Sequence, residues 1–158
     1  MYLFLISLGM GLAYLFLYQI YSVFFTGKLT KYSLESWKSI VIILVFSLVV
    51  NKLALLIVDR ELGNRVMHAF GGGFLAFFTC FLVVKNLKLR MNIFPFILFS
   101  FLIVMSLGIA NELLEFFLQS YSPLIFANSI NDTWLDLTSN FIGTIVAIAI
   151  FTPFIRNK

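Results

Sequence analysis

A stripe of polar side chains opens the last apolar segment of this chain, and it holds the first candidates for chemistry. Asp132, Asp136, Asn140 and Gly143 fall at i, i+4, i+8 and i+11, so a helix places them on one face. An ionised Asp at the centre of a bilayer costs about 2.5–3.5 kcal/mol, so such residues usually face protein, water or a ligand. The stripe therefore predicts one wall of a polar site, with Gly143 as a packing contact.

A second acidic pair and the single histidine complete the candidate set. Glu112 and Glu115 share a helix face at the end of the preceding apolar segment, and His68 begins an earlier one. Imidazole titrates near neutral pH, so we predict that His68, Glu112 and Asp136 are catalytic, the histidine as general acid or base. Carboxylates bind hard divalent cations, so Glu112, Glu115, Asp132 and Asp136 are the predicted ligands of Mg²⁺, Mn²⁺ or Ca²⁺.

Three further residues are predicted to bind substrate, namely Arg65, Asn140 and Lys52. Arg65 would orient an acidic neighbour or meet a headgroup phosphate. The structural alternative is an ion network in which Lys52, Arg60 or Arg65 neutralises the carboxylates, and Lys52 could also snorkel to the interface. No H-x-x-x-H or H-E-x-x-H motif occurs, so the spacing does not identify a metal, and the cofactor is left at an unspecified divalent cation.

Composition places the whole set in a membrane protein. Of 158 residues, 61% are hydrophobic and only 11% charged, whereas soluble domains average about 25% charged residues. Such a chain cannot present a water-covered surface, so the expected fold is all-α, an integral membrane bundle of five transmembrane helices. The net charge of +4 resides mainly in short loops, which indicates membrane orientation rather than binding of nucleic acid.

The hydropathy pattern divides the chain into five apolar segments within a single membrane domain, residues 1–158. We expect spans at residues 2–25, 36–58, 66–84, 93–118 and 132–153. A charge-rich stretch, residues 59–65, is expected to be a short link. Gly71, Gly72 and Gly73 lie inside the third span, where small residues usually mark close packing between helices.

The distribution of basic residues predicts the orientation of the bundle. With five spans, eight Lys and Arg residues share one side and two lie in the links of the other: the first group is Lys28, Lys31, Lys38, Lys85, Lys88, Arg90, Arg156 and Lys158. The positive-inside rule then places the N-terminus outside and the C-terminus in the cytoplasm of a plasma membrane. At about 1.5 Å per residue, Asp136 lies about 6 Å from the outer end of its span. The polar site is thus expected to face outwards.

Three short motifs resemble the VanZ-like membrane proteins. Arg65–His68 resembles the basic-x-x-His that opens a helix there, and Asn111–Gln119 resembles a Glu-x-x-Gln helix in which Glu115 stands in place of Gln. Asp136-x-x-x-Asn140-x-x-Gly143 matches the closing Asp-x-x-x-Asn-x-x-Gly. The W-L-D-L segment also resembles the related YjdF-like inner-membrane proteins. The resemblance implies a multi-span membrane protein, and one branch of the VanZ-like family is linked to glycopeptide resistance.

Two departures from the VanZ-like pattern concern the predicted site. The Arg that usually precedes the closing motif is missing, and Ala69 replaces an aromatic residue after the histidine. Arg is the natural bidentate ligand for a phosphate or carboxylate. The family has no established general reaction, so the resemblance implies a location and a site without implying a chemistry.

Three functions are compatible with these residues. The first is recognition or modification of a membrane lipid or a lipid-linked or cell-envelope molecule at the acidic site, with catalysis left open. The second is a non-catalytic membrane factor whose polar cluster only locks helices and supports a partner. The third is a small transporter, which is disfavoured because the inner half of the spans carries no charge that could complete a pathway. The oligomeric state cannot be read from the sequence.

Overall fold

The computed structural model describes residues 2–121 and 130–155, and these residues form helices joined by short links. Five helices are long and apolar enough to cross a membrane, which confirms the expected all-α membrane bundle. The α-helices are α1 (Tyr2–Thr26), α2 (Leu34–Leu55), α3 (Arg60–Val66), α4 (Leu75–Asn86), α5 (Ile93–Tyr121) and α6 (Ile130–Phe151). A π-helical segment, Met67–Phe74, joins α3 to α4 into one continuous third span, and a 3₁₀ turn, Thr152–Phe154, follows α6.

The third span begins earlier than its apolar pattern suggests. Its helix starts at Arg60 rather than Val66, so the link expected over residues 59–65 is wrong for most of its length. Asp59 caps this helix by accepting hydrogen bonds from the backbone N–H groups of the following turn. The turn remains helical despite its charges because Arg65 is paired with Asp136 of α6 instead of facing lipid.

The π-helical segment packs against α6 with almost no space between the two backbones. A Cβ at Gly143 would overlap the carbonyl oxygen of Ala69, and one at Gly73 would overlap the carbonyl oxygen of Asn140. A Cβ at Gly72 would overlap the Asn140 side-chain oxygen. Glycine is required wherever two backbones approach this closely. The glycines therefore allow α6 to pack directly against the segment that carries His68.

Side-chain hydrogen bonds connect the helices at the end of the bundle away from His68. Asn86 at the end of α4 donates to the hydroxyl of Tyr14 in α1 at 2.7 Å and to that of Ser39 in α2 at 2.8 Å. The buried hydroxyls of Tyr21 and Ser100 lie 2.7 Å apart and connect α1 to α5. Such bonds matter in a bilayer because lipid offers no alternative partner to a buried polar group.

The spanning helices expose large apolar side chains, as a lipid-facing bundle requires. Large exposed hydrophobic side chains occur along every spanning helix, for example Phe16, Val45, Leu62, Leu102 and Ile142. The expected basic tail, with Arg156 and Lys158, lies outside the described residues, as does most of the loop before α6.

Candidate functional site

Arg65 is the centre of an ion-pair network at one end of the bundle. Its Nη1 lies 2.6 Å from Oδ1 of Asp136 and 3.0 Å from Oδ1 of Asp132. The Asp136 side chain is almost wholly buried, at 4% exposure, while those of Arg65 and Asp132 are 19% and 13% exposed. Breaking a buried pair leaves an uncompensated charge, so this network ties the third span firmly to α6.

Asp136 has two further neighbours on the third span. Asn64 donates its side-chain N–H to Oδ1 at 3.0 Å and to Oδ2 at 3.2 Å. Nε2 of His68 lies 3.4 Å from Oδ2. Asn64 and His68 are one helical turn apart, so both reach the same carboxylate. A carboxylate beside one ring nitrogen orients an imidazole and leaves its other nitrogen available, which is the usual arrangement behind a metal-ligating histidine.

His68 also faces the two glutamates of α5. One ligand atom each of His68, Glu112 and Glu115 lies within 4.8 Å of the others, and no other such group of histidine, cysteine and acidic residues occurs in the described part of the chain. Ligands bind Mg²⁺ or Ca²⁺ at about 2.0–2.6 Å, so two ligands on opposite sides of one ion are about 4–5 Å apart. The spacing of this trio is therefore compatible with one shared cation.

Among the described residues, the glutamates of the trio have no basic partner comparable to Arg65. Within the described ranges, neither Glu112 nor Glu115 forms an ion pair with a Lys or Arg side chain. Glu115 accepts a hydrogen bond from Asn111 at 2.8 Å. Glu112 is 7% exposed, and its buried Oε1 has no hydrogen-bond partner among the described atoms. A buried carboxylate oxygen without a partner is costly in a bilayer and indicates that a cation or proton belongs beside it.

A cavity of about 290 Å³ extends from the trio into the centre of the bundle. All five spanning segments contribute to its wall, and His68 and Glu115 belong to it. Deeper in, the wall carries the side chains of Asn51 from α2 and Asn140 from α6. Both carboxamides are at least 97% buried, and their Oδ1 atoms lack partners among the described residues. The cavity thus continues the polar site inwards instead of closing behind it.

The predicted site residues therefore fall into two adjoining groups. Asp132 and Asp136, predicted as metal ligands, are engaged by Arg65, whereas Glu112 and Glu115 stand with His68. The residues that the structure does bring to the site are His68, Glu112, Glu115, Asp132, Asp136, Arg65 and Asn140. Lys52 is not brought there, since it is exposed at the end of α2 with no ion pair in the described chain. Because Arg65 is held by two carboxylates, it positions Asp136 rather than standing free for a phosphate.

The sequence did not single out three polar partners of the site. Asn64 lies in the stretch expected to be a link, and its helical spacing from His68 becomes visible only once the helix is known to start at Arg60. Asn51 supplies an amide to the cavity wall, and Thr133 lies beside the Glu112 carboxyl. A polar residue inside an apolar span was the available signal for Asn51.

A helical bundle with five spanning segments, enclosing ionised and amide side chains at one end, defines a polytopic membrane protein with an internal polar site. The chain belongs to the family described as "Predicted membrane protein (DUF2238)", whose model matches residues 3–157. No curated protein and no solved structure matches the chain.

Proposed function

We propose that this membrane protein recognises, and on a suitable substrate modifies, a phosphate-bearing lipid or lipid-linked envelope molecule at the site formed by His68, Glu112 and Glu115. A divalent cation held by these three side chains would bind the phosphate. Asp136, positioned by Arg65, would orient the imidazole of His68. The membrane is the plasma membrane, with the site on its outer side and the N-terminus outside.

The observation that carries this proposal is the buried Oε1 of Glu112, which has no hydrogen-bond partner among the described residues and belongs to a carboxylate beside the histidine. Glu112 is buried in a membrane-spanning helix with no basic partner among the described residues, yet it faces Glu115 and His68. Two acidic side chains placed together in an apolar environment repel each other unless a cation or a proton intervenes. A divalent ion satisfies both carboxylates and presents its open positions to a phosphate oxygen.

Two further arguments support the placement and the ligand class. The basic loops of the described chain lie at the end of the bundle opposite the trio, and the positive-inside rule makes that end cytoplasmic. A headgroup at the outer interface is the phosphate source closest to such a site. The resemblance to VanZ-like proteins fits an envelope role and forms part of the same proposal.

The helix-locking alternative is favoured by the ion network on the other side of Asp136. Arg65 neutralises Asp132 and Asp136 and joins the third span to α6, which is what a structural lock would do. That function does not account for Glu112 and Glu115, whose carboxylates form no such pair within the part of the chain that the structure describes. A small transporter remains a third candidate because the cavity reaches the centre of the bundle.

Retention of a phosphate lipid by the purified protein tests the proposal. We expect detergent-solubilised protein to retain phosphatidic acid in the presence of Mn²⁺, as measured by native mass spectrometry. EDTA or the Glu112→Gln variant should lower the apparent affinity about tenfold or more, since each removes a charge-assisted contact worth about 1.5–3 kcal/mol.

The matched control is Glu61→Gln, which removes an exposed carboxylate from the same end of the bundle. It should retain lipid like the unmodified protein. Equal retention with EDTA, with Mn²⁺ and in the Glu112→Gln variant would show that the trio does not bind phosphate. Lower thermal stability of Glu112→Gln without a change in lipid binding would instead support the helix lock.

A further inference from the structure

A notch at the end of the bundle away from the trio combines an apolar floor with a basic rim. It has a volume of about 790 Å³ and lies between the ends of α4 and α6. Its rim consists of the side chains of Lys85, Lys88 and Arg90, and the rest of its wall is apolar. The volume falls within the range of about 300–1,000 Å³ that is typical of small-molecule sites.

Aromatic rings form part of the apolar floor of the notch. The ring of Phe151 stacks on that of Phe81 with their centroids 5.1 Å apart, which joins the end of α6 to α4. Phe81 is buried, whereas Phe154 at the end of the 3₁₀ turn is 70% exposed. Because the notch lies at the ends of two membrane-spanning segments, lipid chains are the apolar groups nearest to this exposed ring.

No acidic side chain of the described chain neutralises the basic rim. The described residues include all seven acidic side chains of the sequence, and none of these forms an ion pair with Lys85, Lys88 or Arg90. Six of the seven lie at the end of the bundle that carries the trio. The seventh, Glu35, lies 2.8 Å from Lys38. The positive charge of the rim is therefore available to an anion from outside the protein.

The backbone turns sharply within the rim, at Lys88. Its φ of 54° lies in the left-handed region, where glycine is the usual residue after the end of a helix. The backbone N–H of Leu89 donates to the carbonyl oxygen of Val84 at 3.1 Å and so closes the end of α4. Lysine adopts this conformation at an energetic cost that glycine does not have. Such an outlier indicates a use for the lysine side chain.

We propose that this notch binds an anionic phospholipid of the adjoining leaflet, with its phosphate at Lys85, Lys88 and Arg90 and a hydrocarbon chain against Phe154. Basic pockets between spanning helices suit anionic headgroups. A soluble anion would use the rim but not the apolar floor, so the combination favours an amphiphile. The positive-inside rule accounts for basic residues in this loop but not for the apolar notch beside them. The site is separate from the trio and needs no cation there.

Selective retention of an anionic lipid in EDTA tests the inference apart from the trio. We expect the purified protein to bind phosphatidylglycerol at least about tenfold more tightly than phosphatidylcholine, measured by native mass spectrometry, because choline would bring a positive charge to the basic rim. The Lys85→Gln and Arg90→Gln double variant should lose most of this preference. The matched control, Lys28→Gln with Lys31→Gln, removes two exposed cations from the loop between α1 and α2 and should keep it.

Lys88→Gly separates a lost contact from a lost fold. Glycine suits the left-handed backbone better than lysine, so this variant should be at least as stable as the unmodified protein while binding phosphatidylglycerol about fivefold more weakly. Equal weakening by the two double variants would show that the lipid responds only to overall charge, and would overturn the site. Equal retention of the two lipids would overturn it as well. Displacement of the lipid by excess glycerol phosphate would assign the rim to a soluble anion instead.

Discussion

Gly143→Ala should unfold the helix interface that carries the site. The added Cβ would overlap the carbonyl oxygen of Ala69, and backbone atoms of two packed helices cannot move aside as a side chain can. Overpacking typically destabilises by about 1–3 kcal/mol, and we expect a loss at or above the upper end of that range. The measurement is the temperature at which half of the detergent-solubilised protein remains monodisperse after heating.

Gly9→Ala is the matched control, because a Cβ at Gly9 would meet no atom within 4 Å among the described residues beyond its chain neighbours and its own helix backbone. Alanine favours a helix over glycine by up to about 1 kcal/mol, so this variant should be as stable as the unmodified protein or slightly more stable. If Gly143→Ala had the same melting temperature as Gly9→Ala, α6 would not lie against the π-helical segment.

Arg65→Met should destabilise the protein to a similar or greater extent. It leaves Asp132 and the nearly buried Asp136 without their shared cation, and breaking a buried pair from one side costs about 3–5 kcal/mol. Adding Asp136→Leu to this variant should recover part of the loss, because the buried uncompensated charge is then removed as well. Both effects are read from the same melting measurement.

Lys38→Met is the control variant, because it removes an exposed ion pair whose contribution to stability is expected to be small. Lys38 and Glu35 lie 2.8 Å apart with side chains 59% and 64% exposed, and such surface pairs contribute about 0–1 kcal/mol. Equal melting of Arg65→Met and Lys38→Met would contradict the ion network. A double variant less stable than Arg65→Met alone would show that Asp136 stabilises the fold through partners other than Arg65.

Composition and hydropathy were enough to predict five membrane helices, because apolar length alone determines what can span a bilayer. The start of the third span was predicted wrongly, since its first turn is charged and only the pairing of Arg65 with α6 makes that turn compatible with a helix. Helical spacing also indicated the acidic face of α6 and the glutamate pair of α5.

The sequence alone could not predict that the acidic residues form two groups, one around Arg65 and one around His68. Spacing treats Asp136 and Glu112 alike, but the rotation of each helix brings Asp136 to both Arg65 and His68, whereas Glu112 approaches only His68. For α6 and the third span, that rotation is constrained by the close contact of Gly143 and Gly73 with backbone oxygens across the interface. The cavity beyond the trio likewise depends on how the five spanning segments pack together. In the sequence, its only indication was a polar residue inside an apolar span, as at Asn51 and Asn140.

Binding of Mn²⁺ is the most direct test of the cation trio. Equilibrium dialysis followed by electron paramagnetic resonance should find one Mn²⁺ per chain in the unmodified protein and in Glu35→Gln, which alters only an exposed carboxylate. The Glu112→Gln and Glu115→Gln double variant keeps the side-chain shapes and should bind none. One ion per chain in the double variant, or none in the unmodified protein, would contradict the site.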